Sequence, residues 1–330
     1  MKRLFLFLVI AVALAVSGCT EKGPGDNAPT PGEITAKAVS AANNLSAYSL
    51  TSSVNETLKL KANEENATTE RFVTISNGVE AKLSMNLTSF MAKAVMITSN
   101  STQITGSPAN GSSSEMYVYQ IGNSTYVKDE MGKWTHLKDP RSAKEIWANG
   151  SNNQVLNLAV GVNSSQIEVV GSEMIDGEDT YKLKITSQKD DYSIRDNIAI
   201  EEASKAADIL TRPPENIIPI PSINSTELNE TGKMEKLVWI SQKTYLPVKY
   251  QSSVSFNMRP LIEGFIDLAS NKNVKFNQSV SLGEMSVDMV TTDQYSDFNL
   301  PVAIAPPEDA LKTEPIVPSS IQAVPQATAA

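Results

Sequence analysis

The chain has 330 residues, of which 41% are hydrophobic and 20% charged, and this is enough for a substantial core. Its net charge of −9 argues against nucleic acid as a partner, since neutralising phosphates requires clustered cations. A single cysteine and a single histidine exclude disulfide scaffolds, Cys/His zinc sites and catalysis by a thiolate with an imidazole. The common hydrolase, metalloprotease and nucleotide-binding motifs are missing from the sequence. We therefore expect a protein that is not an enzyme and that has no cofactor.

The N-terminus has the features of a secretory signal. Lys2 and Arg3 precede an apolar run over residues 4–16, which is short for a membrane span, and small residues follow. The segment Val16-Ser17-Gly18-Cys19 resembles a lipoprotein lipobox, which implies cleavage before Cys19 and attachment of a lipid to its thiol. We expect a signal peptide over residues 1–18, a lipidated tether over residues 19–30 and an extracytoplasmic protein anchored to the cell membrane.

Twelve Asn-X-Ser/Thr sequons are spread along the chain. One interpretation is that Asn, Ser and Thr all concentrate in turns and on solvent faces, which produces sequons without glycans. The other is N-glycosylation, which together with the lipobox indicates an archaeal-type cell-surface lipoprotein. The candidate glycosylation residues are Asn44, Asn55, Asn66, Asn86, Asn100, Asn110, Asn123, Asn149, Asn163, Asn224, Asn229 and Asn277.

The first half of the chain predicts a helix followed by antiparallel strands. Thr30, Pro31 and Glu33 form a helix start with a capping box, and apolar residues at helical spacing continue to Leu45. Strict alternation over residues 79–88 then predicts a half-buried strand. Hairpin patterns follow over residues 116–137, and a second helical stretch runs from residue 139 to 160 with an interruption at Asn149.

The second half continues the strand pattern around one insertion. A hairpin is predicted over residues 166–186 with a turn at Asp176-Gly177, and strands are predicted over 236–240, 246–258 and 284–295. Between them, residues 190–232 form a predicted helix and loop insertion with an apolar side that suits a lid over a cavity. Residues 311–330 are rich in Pro, Ala and Ser and are predicted to be disordered.

The segment Trp239-Ile240-Ser241-Gln242-Lys243-Thr244-Tyr245-Leu246-Pro247-Val248-Lys249-Tyr250, with the order of elements around it, resembles the LolA-like / LppX–LprG-like lipoprotein carrier superfamily. Ser241 departs from the pattern, in which an acidic residue is commoner. The resemblance spans residues 31–310. It implies an α+β fold with a strongly curved antiparallel sheet, an incomplete and unclosed β-barrel, with helices packed in the concave face. It also implies an apolar cavity for acyl chains between sheet and helices.

Apolar and aromatic side chains supply the candidate lining of such a cavity, although each one also suits an ordinary core. They are Leu83, Met85, Leu87, Phe90, Met96, Tyr117, Tyr119, Trp134, Trp147 and Trp239. Two carboxylate groups have the oxygen ligands that Ca²⁺ prefers but lack EF-hand spacing, so we expect no metal. They are Asp190, Asp191 and Asp196, and Asp288, Asp293 and Asp297. The single histidine, His136, is expected to be a packing or surface residue.

Two functions from different classes fit these patterns. The first is a membrane-anchored lipoprotein that binds a lipid or other hydrophobic ligand without catalysis. The second is a structural or sensory surface module with a solid core that contacts envelope glycans or proteins. A third, an extracytoplasmic hydrolase, needs convergent carboxylates, and the sequence does not predict any. A continuous core beneath the first helix favours the second function.

Overall fold

The computed structural model describes residues 29–63, 71–147, 152–186, 232–257 and 281–317. They form a single sheet whose strands are β1 (Ala47–Asn63), β2 (Arg71–Asn86), β3 (Met91–Ile104), β4 (Asn110–Ile121), β5 (Ser124–Lys128), β6 (Trp134–Lys138), β7 (Gln166–Ile175), β8 (Glu178–Thr186), β9 (Gly232–Ser241), β10 (Pro247–Asn257), β11 (Ser281–Ser296) and β12 (Pro315–Ile316). The helices are α1 (Pro31–Asn43), α2 (Ala143–Ile146), α3 (Gln154–Asn163) and α4 (Glu308–Leu311).

The strands lie in the order β12-β6-β5-β4-β3-β2-β1-β11-β10-β9-β8-β7. Every pairing is antiparallel except that of the two-residue strand β12 with β6. Open sheets of more than about ten strands curl, because the twist of neighbouring strands accumulates. The predicted α+β class, an unclosed and largely antiparallel sheet with helices against one face, is confirmed.

Strand register divides the side chains of the sheet between two faces. Tyr48 and Leu50 of β1 pair with Met85 and Leu83 of β2, and paired residues project to the same side of a sheet. We call this side, which α1 and α3 cover, the inner face. The alternate residues form the outer face.

A continuous core fills the space between the inner face and the helices. In α1 the residues Ile34, Ala38 and Ala42 are fully buried, and in α3 Val155 is as well. These side chains form one apolar cluster with sheet residues that include Leu183 and Ile240. Such a core is what the predicted one-faced helix and alternating strands require.

Helix α1 begins as the sequence predicts. The Thr30 hydroxyl accepts a hydrogen bond from the Glu33 backbone N–H, and the Glu33 carboxylate accepts one from the Thr30 backbone N–H at 2.7 Å. Helix α3 is joined to α1 at both ends. Its N-cap residue Asn153 donates to the Ala42 carbonyl at 3.1 Å, and Asn163 accepts from the Thr35 hydroxyl at 2.8 Å.

The C-terminal segment over residues 298–317 crosses the outer face, and we call it the strap. Its residues Val302, Ile304 and Ala310 pack against Tyr119 and Tyr126 in a second apolar cluster. The strap ends in β12, beside β6. The prediction of disorder from residue 311 is therefore wrong for residues 311–317, because contact with the outer face and with the edge of β6 orders them.

Several predictions fall outside the described residues. They concern the signal peptide and Cys19, the interruption at Asn149, the insertion up to residue 231, the carboxylates Asp190, Asp191 and Asp196, and the tail from residue 318. Across the described part of the chain, no helix combines the length and apolar character needed to span a membrane.

Candidate functional site

Six of the ten predicted cavity residues lie together on the side of the inner face. They are Leu83, Met85, Leu87, Phe90, Met96 and Trp147. Five of them belong to the helix-covered cluster or pack against it. Met96 lies farther along β3 and is half-buried.

Phe90 and Trp147 close one end of this region. Phe90 ends the turn between β2 and β3 with a φ of 56°, and its ring centroid lies 6.0 Å from that of Trp147. The indole Nε1 of Trp147 donates to the Gly122 carbonyl at 3.2 Å, which fixes the ring over this end of the sheet. Both rings therefore pack in the same apolar cluster as Met85 and Ala92.

A half-buried apolar strip extends from this end along β2, β3 and β4. Ala81 pairs with Met96, and Met96 pairs with Met116. In the neighbouring row Ala94 pairs with Val118. We call these five residues the inner strip. None of them belongs to the helix-packed cluster of the described residues, which ends at Leu83 and Ala92 on this side.

A polar row lies farther along the inner face, past the row of Val79 and Thr98 that adjoins the strip. The Asn77 amide donates to the Glu56 carboxylate at 2.8 Å, and the Ser112 hydroxyl donates to the Asn100 side-chain oxygen at 3.1 Å. Asn77 and Asn100 are paired across β2 and β3, so the row spans four strands. Beyond the row the inner face is apolar again. Leu58, Phe256 and Val287 are 1% exposed or less. The inner face therefore alternates apolar, polar and apolar along its strands.

The other four predicted cavity residues lie on the outer face. Tyr117, Tyr119 and Trp134 pack with the strap cluster, and Trp239 pairs with Lys182 and Lys249 on β8 and β10. The ten residues therefore cannot line one cavity. The physical reason is the two-residue period of a strand, which places Tyr117 and Tyr119 opposite Met116 and Val118.

The sequence prediction did not include Ala81, Ala94, Met116 and Val118. Over residues 116–119 every side chain is apolar or aromatic, because the inner strip uses one set and the strap cluster the other. A strand with apolar side chains on both faces has no alternation, so periodicity could not assign its residues to faces.

Trp239 has a polar environment that a ligand cavity does not require. Its Nε1 donates to the Glu173 carboxylate at 2.9 Å, and the ammonium groups of Lys182 and Lys249 lie 5.2 and 4.5 Å from its ring centroid. The hydrogen bonds from Trp239 and Lys182 lower the pKa of Glu173 below its usual 4.5. These contacts connect the four strands β7, β8, β9 and β10 on the outer face.

The turn after Trp239 explains the unusual Ser241. Its hydroxyl oxygen accepts from the backbone N–H groups of Lys243 and Thr244 at 3.2 and 3.0 Å, and it is hydrogen-bonded to the Glu178 carboxylate. Tyr245 completes the turn with a φ of 60°. The acidic group that the resembled motif carries at this position is here supplied from β8 by Glu178.

The carboxylates of the second predicted group are not brought together. Asp288 lies on the outer face and Asp293 on the inner face of β11, where they bind Ser255 and Ser52 at 2.7 and 2.6 Å. Among the described residues no group of three or more His, Cys, Asp or Glu side chains could hold a metal ion. His136 is 9% exposed and stacks on Tyr126 with ring centroids 4.3 Å apart, as a packing residue would.

No family model matches the chain, and no curated protein matches it either. Among solved structures it is similar to the lipoprotein LppX of Mycobacterium tuberculosis, with 13% identity and a TM-score of 0.31 over 83% of this chain and 98% of that one. A DUF1329 family protein from Desulfovibrio piger has 11% identity and a TM-score of 0.21, covering 83% of this chain and 93% of its own. An outer membrane lipoprotein-sorting protein domain from Vibrio parahaemolyticus has 8% identity and a TM-score of 0.18, covering 82% and 92%.

Proposed function

We propose that this protein is an extracytoplasmic lipoprotein, anchored through Cys19, that holds a lipid or other hydrophobic ligand against the inner face of its sheet. The observation that carries the proposal is the inner strip. Five apolar side chains on three adjacent strands lie half-buried beside the core, with neither α1 nor α3 packed on them. A contiguous apolar surface of this kind, next to a rigid core, suits an acyl chain.

The inner strip is less deeply buried than the core beneath the helices. Beneath α1 the packing is solid, since Ile34, Ala38 and Ala42 are 0% exposed. A ligand placed on the β2–β4 side does not need to open that core. Met96 and Met116 are paired at the centre of the strip, and their flexible thioether chains can adapt to acyl chains of different shapes.

Binding on this surface requires no chemical step. An acyl chain laid along the strip would displace water that has few hydrogen-bond partners there, and apolar burial contributes roughly 25 cal/mol per Å². The polar row of Glu56, Asn77, Asn100 and Ser112 lies beyond one end of the strip, past Val79 and Thr98. An amphiphile fits such a surface better than a purely apolar molecule, because its polar group can remain at this row.

Native mass spectrometry of the mature chain tests the proposal. A Cys19→Ser variant removes the covalent lipid, so any lipid mass that remains is bound non-covalently. We expect a one-to-one complex with a lipid that organic extraction releases and identifies. A protein that is purified without bound lipid and takes up none from mixed vesicles would contradict the proposal.

A pair of neighbouring substitutions locates the site. Met96 projects to the inner face, whereas Ile97, which is 38% exposed, projects to the outer face. Met96→Lys places a charge on the strip and is expected to reduce lipid occupancy at least tenfold. Ile97→Lys is the matched control and is expected to leave occupancy unchanged. Equal loss in both variants would place the ligand elsewhere.

The solid core beneath α1 is the observation that favours the second function, a structural or sensory surface module that contacts envelope glycans or proteins. The same measurement separates the two. The second function is supported if no lipid is ever found on the protein. In that case the wild type and Met96→Lys should be equal in stability and in retention on isolated envelopes.

A further inference from the structure

The structure separates the sequons that its described residues contain, although their motifs are alike. We propose that Asn55 carries an N-linked oligosaccharide and that Asn86 and Asn123 remain unmodified. Five sequons, at Asn66, Asn149, Asn224, Asn229 and Asn277, lie outside the described residues. The separation rests on what each side-chain amide already binds, because the sugar is attached through the amide nitrogen Nδ2.

Asn123 has no amide hydrogen available. Its Nδ2 donates to the Asp139 carbonyl at 2.9 Å and to the Arg141 carbonyl at 3.3 Å. A glycosylated amide retains one N–H, so a sugar on Asn123 would remove one of these two bonds. The side chain is also half-buried in the turn between β4 and β5. A glycan here conflicts with the fold whether it is added before or after folding.

Asn86 is held beneath the strap. Its Nδ2 donates to the Val302 carbonyl at 3.4 Å, and its Oδ1 accepts from the Ser89 backbone N–H at 2.9 Å. A sugar on Nδ2 would occupy the position of the strap, whose residues Ile304 and Ala310 are buried against the sheet farther along. The strap and a glycan at Asn86 exclude each other.

Asn55 has the opposite environment. It is exposed on the outer face of β1, and among the described residues its amide makes no hydrogen bond. Its partner on β2 is Gly78, and the next residue in the row is Ser99. A Cβ atom at Gly78 would lie 2.7 Å from the Ser99 hydroxyl oxygen and 3.7 Å from the Asn55 Oδ1. The Ser99 hydroxyl therefore already fills the place of a side chain at Gly78, and the accessibility of Asn55 rests on its own exposure.

In each of the remaining sequons of the described residues, either the Asn side chain or the hydroxyl of the third residue already makes a hydrogen bond. Asn44 donates through Nδ2 to the Ser40 carbonyl at 2.9 Å, and Asn163 accepts from Thr35 at 2.8 Å. The Ser112 hydroxyl, which belongs to the sequon of Asn110, is bonded to Asn100 at 3.1 Å. Among the sequons of the described residues, that of Asn55 is the one in which neither the Asn side chain nor the hydroxyl of the third residue makes a hydrogen bond with the described residues.

The modification is a transfer from an oligosaccharide carried on a lipid phosphate. The anomeric carbon of the sugar forms a bond to the Asn55 Nδ2, and its bond to the phosphate oxygen breaks. The lipid phosphate leaves with the electron pair, and Nδ2 loses one proton. The donor must be on the same side of the membrane as the mature chain, which agrees with a secreted protein.

Peptide mass spectrometry of the full chain isolated from its own cell envelope tests the proposal. Cleavage after aromatic residues separates Asn44 from Asn55 at Tyr48 and isolates Asn123 between Tyr119 and Tyr126. The peptide over residues 49–72 also contains the sequon of Asn66, so a second cleavage after Lys59 and Lys61 separates Asn55 from Asn66. We expect an oligosaccharide mass on the Asn55 peptide and unmodified peptides for Asn86 and Asn123. An unmodified Asn55 peptide, or a glycan on Asn86 or Asn123, overturns the proposal.

Variants of the sequon threonines provide the matched control. Thr57→Val removes the hydroxyl that the transfer requires and is expected to abolish the added mass on the Asn55 peptide, whereas Thr57→Ser is expected to retain it. Thr88→Val makes the same change in the sequon of Asn86, in an exposed turn, and is expected to leave the intact mass shifted only by the substitution. A glycan mass that survives Thr57→Val on this peptide contradicts attachment at Asn55.

Discussion

Trp239 of β9 reaches across β8 to Glu173 of β7, and its indole Nε1 donates to that carboxylate at 2.9 Å. Lys182, on the strand between them, forms an ion pair with the same carboxylate at 3.0 Å. The motif that carries the superfamily resemblance therefore contributes its tryptophan to a brace on the outer face, away from the inner strip. Its role is in holding the last strands of the sheet together.

Glu173→Gln is expected to lower the free energy of unfolding at pH 7 by about 0.5 to 1 kcal/mol, since the carboxylate is partly exposed and solvent screens the pair. Because the folded-state pKa of Glu173 lies below 4.5, its contribution is present above that pH and is lost as the pH falls through the folded value. Urea unfolding followed by tryptophan fluorescence at pH 7 and pH 3 measures the difference. Glu168→Gln, an exposed change on the same strand, is the control.

Tyr48→Phe is expected to destabilise the protein by about 1 to 3 kcal/mol, because two backbone groups lose a buried partner. The Tyr48 hydroxyl donates to the Asn152 carbonyl at 3.1 Å and accepts from the Gln154 N–H at 3.0 Å. Hydrogen exchange should show that the first turn of α3 opens more often in the variant. Unchanged exchange in α3 would contradict the role of the hydroxyl.

The same hydroxyl predicts an alkaline transition. Burial raises the pKa of Tyr48 from 10.0 to about 12. The unfolded chain ionises first, so the contribution to stability is complete below pH 10 and is lost as the pH rises through about 12. Tyr48→Phe should therefore reduce the loss of stability between these values, as measured by urea unfolding at a series of alkaline pH values. An identical pH dependence in both proteins would assign the transition to other groups, such as Tyr295, whose pKa burial also raises.

Ser241→Asp restores the acidic residue that is commoner in the resembled motif, yet we expect it to destabilise this protein. The new carboxylate would lie beside Glu178, which is hydrogen-bonded to Ser241 in a site that is 0% exposed at Ser241. Two carboxylates in direct proximity, about 4 to 8 Å apart, repel by about 2 to 4 kcal/mol at an effective dielectric constant near 20. Adding Glu178→Gln should recover most of the loss in a double-mutant cycle. Additive effects of the two changes would show that they do not interact.

Ile304→Ala is expected to cost about 2 kcal/mol, because Ile304 is 7% exposed where the strap packs on the outer face. The emission of Trp134, which packs in the same cluster, should shift as water reaches it. Leu311→Ala, in the same strap at a side chain that is 56% exposed, should change stability by less than about 0.5 kcal/mol. Equal effects in the two variants would mean that the strap is not anchored through Ile304.

The sequence predicts most of the elements because their patterns are local. The capping box of Thr30 and Glu33 and the turn at Asp176-Gly177 occur as predicted, and in that turn both residues have positive φ values, of 49° and 84°. Strand β3 was not predicted, because its second half from Thr98 to Gln103 is polar on both faces. The course of the strap also could not be predicted, since its contacts join residues far apart in sequence.

The candidate site was predicted only in part, for a related reason. Leu83 and Met85 were assigned to one face correctly because their strand alternates strictly. Tyr119 and Trp134 were grouped with them by residue type, although the register places them on the other face. Composition identifies which side chains are apolar, whereas only the pairing of strands determines which of them meet.

The position of β11 determines when the chain can fold. Strands β1 to β6 and strands β7 to β10 each form a continuous run of neighbours, and β11 joins the two runs by pairing with β1 on one side and β10 on the other. Ser49 pairs with Ser296, so β1 cannot pair with β11 until almost 250 more residues have been synthesised. Contacts so distant in sequence form slowly because a long loop must close first. The sheet can therefore be completed only after β11, and with it nearly the whole chain, has been synthesised.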